Sequence, residues 1–246
     1  MSVPLVAVAH GSRDPRSAAT VARLLDAVRA HQPGLVVRGA FLDLSAPRLG
    51  DVLAALDEDG HREVVVVPLL LGAAYHARVD VPALVAESVA RLPRLSVSTA
   101  AVLGPDSRVE AAALSRLAAA GARLDDERLG VVLAAAGSSH QPANAAVADV
   151  ARCWSRRHPW AGAVAAFASA AGPDLDTAIN RLRARGARRI AVASWFVAPG
   201  RLPDRVTAQA RRADPAALVA APLGSALAEV VLDRYRAARV PALRYA

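Results

Sequence analysis

The sequence predicts an α/β protein of two tandem, similar domains, each a four-stranded parallel sheet flanked by helices, with a cleft between the domains. Three observations predict it. Apolar strand-like runs alternate with amphipathic helix-like stretches, the pattern of βα units. Some runs, such as Val64 to Val67, are apolar at every position, as in strands buried on both faces. The chain also repeats: a shift of about 126 positions lays Val6 on Val132, Gly11-Ser12 on Gly137-Ser138, Phe41 on Phe167, Pro47 on Pro173 and Gly60 on Gly186 without a gap.

In the first half, Val3 to Ala9 reads as a strand, followed by a Gly-Ser loop and an amphipathic helix from about Pro15 to Ala30. Leu35 to Leu42 is the second strand. Ser45-Ala46-Pro47 then reads as a helix start, with serine at the cap and proline just inside. Arg62 to Leu71 is the third strand, Asp80-Val81-Pro82 opens a helix, Leu95 to Leu103 is the fourth strand, and Pro105-Asp106 leads into a helix ending near Ala120. The second half repeats this order with strands near Gly130 to Ala136, Ala161 to Ala168, Arg188 to Val197 and Ala217 to Ala221. Leu103-Gly104 matches Leu223-Gly224 at a shift of 120, so six residues are lost after the third strand. The charged stretch Gly121 to Gly130 reads as the linker, giving domains 1–124 and 125–246.

Composition narrows the classes. The longest apolar run, Val64 to Tyr75, is interrupted by Pro68 and Gly72 and falls short of the roughly 20 residues a membrane span needs. Val3 to Ala9 lacks the flanks of a signal peptide, so the expected location is cytoplasmic and no membrane partner is expected. A single cysteine, Cys153, excludes an internal disulfide and an iron–sulfur cluster. All 30 basic residues are arginine, and the net charge of +8 lies mostly in the second half, with seventeen arginines against ten acids there and thirteen against twelve before it. Nucleic acid is not the expected partner, because aromatics are 4% of the chain and no nucleic-acid motif is present. There is no P-loop or dinucleotide fingerprint, so no nucleotide cofactor is expected.

Parallel sheets bind ligands beyond the carboxyl ends of their strands. His10 follows the first strand, Asp43 follows the second, and His76 lies in the loop after the third. Two imidazoles and a carboxylate suit a first-row divalent ion with positions open for substrate. The bland reading is that these are ordinary polar residues at strand ends. Against it, His10, Asp43 and His76 fall on Ala136, Ser169 and Leu202 in the other copy, so the scaffold is duplicated and the polar trio is not. Gly11-Ser12-Arg13 and Gly137-Ser138 enter helices whose free amides can hold an anion, or simply turn and cap the chain. Arg13, Arg16, Arg48 and Arg78, with Arg201 and Arg205 in the second half, follow strand ends and could grip an acidic substrate. The dense run Arg181 to Arg189 joins a helix end to a strand start, opposite those ends, and reads as a solvated surface. His31, His61 and His158 fall on that side too, and His140 reads as a cap. His10 as a phosphorylated nucleophile is the weakest alternative, since no set of basic residues precedes it.

Val8-Ala9-His10-Gly11-Ser12-Arg13-Asp14-Pro15, Phe41-Leu42-Asp43, and Pro68-Leu69-Leu70-Leu71-Gly72 continuing to His76, Asp80 and Pro82 together resemble the sirohydrochlorin chelatases of the CbiX and SirB type. The duplicated chain resembles their long, two-domain form. The resemblance implies insertion of a divalent metal, Fe²⁺ or Co²⁺ as substrate, into sirohydrochlorin. It also implies His10 and His76 as metal-site histidines that act as ligands and proton acceptors. The family's carboxylate is usually glutamate; Asp43 is one methylene shorter, and as ligand or proton acceptor both roles stay open. Without the histidine-rich or cysteine-rich tail often linked to cobalt, the expectation leans to iron. Gly11, Ser12, Arg13, Arg48, Arg78, Gly137, Ser138, Arg201 and Arg205 are the expected substrate contacts, with Leu70, Leu71, Ala73, Ala74 and Leu202 against the ring face. The duplication implies a monomer with an internal pseudo-dimer. A non-catalytic carrier of the same divalent metals is the competing class.

Overall fold

The computed structural model describes residues 2–72 and 79–239. Two four-stranded sheets are present, every pairing parallel. In the first, β1 (Leu5–Ala9) lies between β2 (Val37–Phe41) and β3 (Glu63–Pro68), with β4 (Ser96–Thr99) beyond β3. In the second, β5 (Leu129–Ala135) lies between β6 (Gly162–Phe167) and β7 (Arg189–Ser194), with β8 (Leu218–Val219) outermost. The helices are α1 (Pro15–His31), α2 (Leu49–Glu58), α3 (Val81–Arg91), α4 (Ser107–Ala119), α5 (Gln141–Arg157), α6 (Leu175–Ala184), α7 (Arg201–Ala213) and α8 (Ala228–Arg239). At a shift of 126 the bounds of α1, α2 and β3 reproduce those of α5, α6 and β7.

The elements form for local reasons. β1 is wholly buried and β5 likewise, because both faces of each central strand are covered by helices. Asp14, Asp106 and Asp174 cap α1, α4 and α6, each carboxylate accepting a backbone N–H of the first turn. Pro15 sits in the first turn of α1, where its missing N–H costs nothing. Inside the first sheet's helices, Val6, Val8, Ala40, Leu53, Leu56 and Val66 form one apolar cluster; Val132, Ala166, Ile179, Leu182 and Val192 form its counterpart in the second.

The compact units differ from the sequence halves 1–124 and 125–246. One comprises the residues up to Gly104 together with those from Gly224 onward; the other is Pro105–Leu223. The halves have exchanged their last helices. α4 buries Val109, Ala113 and Leu117 and packs on β7, while Glu110 accepts the indole N–H of the buried Trp154 at 2.9 Å. α8 packs on α1, β3 and β4. Tyr235 donates its hydroxyl to the Val3 carbonyl at 2.5 Å, and Arg234 donates to the carbonyls of Val102 and Leu103 at 2.8 and 3.1 Å. Gly121 to Gly130 is therefore a connection within the second unit, tied by the Trp160 indole N–H to the Leu124 carbonyl at 2.9 Å. The crossings between units lie at Gly104/Pro105 and Leu223/Gly224, the motif that the 120 shift had matched.

Candidate functional site

Each sheet changes winding direction at its first strand: β1 connects outward to β2 on one side and has β3 on the other. The crevice beyond the carboxyl ends of β1 and β3 is the place where such sheets take ligands. His10 leaves β1 at that edge. The register Ala9 to Phe41 continues past the strands, with the Leu42 N–H donating to the Ala9 carbonyl at 2.9 Å and the Asp43 N–H to the His10 carbonyl at 3.0 Å. On the other side the Leu69 N–H donates to the Val8 carbonyl at 2.8 Å. His10 and Asp43 are thus neighbours through their backbones, and both are exposed.

Gly11 makes this approach possible. Its φ is 97°, and a Cβ there would stand 1.7 Å from the Asp43 carbonyl oxygen. Past Asp43 the chain takes a left-handed residue, Leu44, at φ 58°. The Leu44 N–H donates to Asp43 Oδ1 at 2.7 Å, and the Ser45 N–H to the Asp43 carbonyl at 2.7 Å. Asp43 Oδ1 also lies 3.4 Å from Arg48 Nη2, so both described contacts of the carboxylate use one oxygen. The Asp43 side chain is 58% exposed.

Ser45 does not cap α2. The helix begins at Leu49 behind Arg48, because Pro47 gives its carbonyl to the Phe41 N–H and stays in the loop. The Ser45 hydroxyl instead donates to the Ser12 carbonyl at 2.9 Å and accepts the Ser12 N–H at 3.1 Å, clasping the loops after β1 and β2 together. Ser12 Oγ accepts the Asp14 N–H at 3.1 Å, and the Asp14 carboxylate already stands at the start of α1. Hydrogen bonds from Arg16 hold that carboxyl below its usual range. The Ser12 and Asp14 amides are thus taken by the chain, and a carboxylate stands at the start of the helix. Arg16 is taken by Asp14, while Arg13 is exposed beside the loop.

The second unit keeps the turn and lacks the histidine and the aspartate. Gly137, at φ 85°, would place a Cβ 1.9 Å from the Ser169 carbonyl oxygen, as Gly11 does with Asp43. The Ser138 N–H donates to Asn144 Oδ1 at 3.0 Å and Asn144 Nδ2 donates to the Ser138 carbonyl at 2.7 Å, so Ser138 is also closed internally. Ser169, the counterpart of Asp43, turns its hydroxyl onto the carbonyl of Ala136, the counterpart of His10, at 3.0 Å. Leu202, opposite number of His76, lies in the first turn of α7 beside Arg201. Arg205 donates to the Ala168 carbonyl at 3.1 Å, which holds it at the end of β6.

His76 and Arg78, with Ala73 and Ala74, lie outside the described residues. Among the described residues no group of three His, Cys, Asp or Glu side chains forms a metal site. The structure thus brings together two of the three expected ligands and the Arg48 guanidinium. His31 and His158 sit at the C-terminal ends of α1 and α5, His158 stacked on Trp160 at 4.1 Å between centroids. Sequence reasoning missed Leu44, a residue 46% exposed next to Asp43, and misassigned Ser45. A leucine gives no sign of a left-handed backbone. Ser45 was legible only as a serine that its copy, Ala171, lacks, just as Asn144 replaces Ala18.

The family model CbiX matches residues 4–120 and again 130–238. A sirohydrochlorin ferrochelatase of Bacillus subtilis (strain 168) is 29% identical over 74% of this chain and 69% of its own. A sirohydrochlorin cobaltochelatase of Priestia megaterium is 23% identical over 81% of this chain and 65% of its own. Among solved structures, SirB from Bacillus subtilis with Fe³⁺ superposes with a TM-score of 0.82 at 24% identity, covering 98% of this chain and 96% of that one. The fold is shared along the whole length.

Proposed function

The chain belongs to the CbiX family, and from that premise we propose that it is a sirohydrochlorin chelatase, a lyase-class enzyme inserting a divalent metal into the tetrapyrrole. The observation that carries the reading is one-sided: the paired backbones of His10 and Asp43 present an imidazole and a carboxylate at the open edge, where the second unit has Ala136 and a self-bonded Ser169.

Metallation exchanges two pyrrole N–H protons for one M²⁺, so the site must hold a partly dehydrated ion and accept two protons. A neutral imidazole can serve as a metal ligand or as a proton acceptor. His10 and His76 act as metal ligands that hand the ion to the ring and receive the released protons. Asp43 supplies the third oxygen donor or takes a proton, its Oδ1 steadied by the Leu44 N–H and Arg48. Arg13, Arg48 and Arg78 meet the substrate's peripheral carboxylates, and Arg201 and Arg205 have the same carboxylate-binding chemistry to offer. Leu70 and Leu71, half-buried past β3, and the exposed Leu44 offer apolar surface to the ring face. Ferrous iron is the metal of first choice and cobalt its competitor.

Mixing the purified protein with sirohydrochlorin and Fe²⁺, Co²⁺ or Ni²⁺, and following the absorption spectrum, tests the reading. Acceleration over the spontaneous reaction, fastest with Fe²⁺, supports it. Metal binding without acceleration replaces it with a carrier of divalent metal.

A further inference from the structure

The edge of the second sheet holds a feature that the proposed chemistry does not use. β6 is an edge strand, and a groove of about 520 Å³ runs along it between α5 and α6. Its floor is Ala163, Val164, Ala165 and Phe167 of β6. Its walls carry Arg152 and Arg156 from α5, Arg181 from α6 and Arg185 just after it. Arg152 pairs with Asp149, whereas Arg156, Arg181 and Arg185 have no carboxylate within 4 Å among the described residues. The Arg185 guanidinium lies 3.1 Å from where a Cβ of Gly162 would stand, over the start of the strand. The dense run of arginines expected to be a solvated surface therefore includes two, Arg181 and Arg185, that face one strip of backbone.

That backbone is open. The Ala168 N–H donates inward to the Ala135 carbonyl of β5, whereas the Phe167 N–H donates outward to the Pro173 carbonyl. Alternation along the strand then directs the N–H and C=O groups of Ala165 and Ala163 outward, into the groove. The first unit treats the same place differently. There Arg29 Nη2 caps the edge carbonyl of Val37 at 2.8 Å, and the counterparts of the four groove arginines are Asp26, Ala30, Ala55 and Asp59. In the second unit Arg29 is replaced by Ser155, too short to make that cap on Ala163. One copy has uncovered its edge and surrounded it with positive charge at the positions where the other carries negative charge or none.

We propose that the β6 edge is a docking groove for an extended acidic segment of a partner protein. Such a segment adds a strand beside β6 through Ala163 and Ala165, and its alternate carboxylates reach the arginines on the α5 and α6 walls. Charge complementarity selects this occupant over an apolar or basic strand. The edge pairing selects it over a compact anion, which would use the guanidinium groups and leave the strand untouched.

The test uses the full-length protein and a fluorescein-labelled nine-residue peptide of alternating glutamate and valine, read by anisotropy at low and moderate salt. Expected are saturable binding, weakening with salt, and at least a tenfold loss in the pair Arg156→Ala, Arg181→Ala. Ala165→Pro, which removes an outward N–H and is tolerated on an edge strand, should also weaken it tenfold with the unfolding transition and metal insertion unchanged. No binding beyond that of an alternating lysine and valine peptide overturns the proposal, and the arginines then only guard the edge against self-association. Full competition by citrate or by sirohydrochlorin, with Ala165→Pro binding normally, overturns it in favour of a small-anion site. If Ala165→Pro does not fold, the arginine pair alone decides: unchanged affinity overturns the proposal.

Discussion

Gly11→Ala separates the geometry of the site from the stability of the fold, because the duplicated chain supplies its own control. An alanine Cβ at position 11 would stand 1.7 Å from the Asp43 carbonyl oxygen, and at position 137 it would stand 1.9 Å from that of Ser169. Relieving either contact to a normal separation needs a shift of about 1.5 Å, and the opposing atom is backbone, which cannot swing aside as a flexible side chain would. The left-handed φ of 97° or 85° adds about 1 to 2 kcal/mol for an L-residue. Both variants should therefore lose similar stability, about 2 to 4 kcal/mol, or roughly 4 to 16 °C in Tm for a chain of this size. Only Gly11→Ala parts His10 from Asp43, and a displacement of about 1 Å at reacting groups lowers rate on the order of a hundredfold. The assay is sirohydrochlorin metallation by absorbance at a temperature where unfolding curves show both variants native. Equal loss of metallation in Gly137→Ala and Gly11→Ala would refute the reasoning, as would wild-type behaviour of Gly11→Ala.

Three further outcomes follow from the same residues. Leu44→Asn, which relieves an exposed leucine at φ 58°, should raise Tm by about 1 to 4 °C and raise KM for the tetrapyrrole; a lowered Tm would show that the leucine packs in the fold. Arg48→Gln should change stability by less than about 1 kcal/mol, since the Asp43–Arg48 pair is exposed on both sides. It should also tighten Co²⁺ binding in a titration, because the cation 3.4 Å from the carboxylate is gone; weaker binding would count against Asp43 as a ligand. Burial, and then the Arg157 charge, lowers the pKa of His158 from 6.5. The unfolded chain consequently takes the proton first as pH falls. The stability tied to neutral His158 is present above about pH 6.5 and is lost as pH drops through the folded value. Thermal unfolding of His158→Gln should show a smaller drop in Tm from about pH 7.5 to about pH 5 than wild type.

The fold was legible where local pattern and tertiary role coincide. Val64 to Val67, apolar at every position, can only be a strand covered on both sides, and β3 contains it. The repeat at about 126 residues located α5, α6 and β7 from α1, α2 and β3. The exchange of α4 and α8 was not legible, because an amphipathic helix states that it has an apolar face and not which sheet covers it. Glu110 meeting Trp154, and Tyr235 meeting Val3, are contacts across 44 and 232 positions that no periodicity encodes. At the site, His10 and Asp43 could be placed on one edge from topology alone, since each lies within two residues of a strand's carboxyl end. That the Ser12 and Ser138 amides are closed by Ser45 and Asn144 was not legible, because an open and a closed amide look alike in sequence. The Arg181 to Arg189 run is the exposed surface that its spacing described; proximity along the chain could not show that Arg181 and Arg185 share a groove with Arg152 and Arg156 of another helix.

The claim beneath all of this is that the metal is handled at the open edge of the first unit by His10 with its neighbours. It is met most directly by the rate of metal insertion into sirohydrochlorin with His10→Ala, measured beside wild type and the protein-free reaction. The account predicts a fall to the protein-free rate with the unfolding transition unmoved, because His10 is exposed beyond the end of β1 and supports no core. Insertion at the wild-type rate by a folded His10→Ala protein would contradict it.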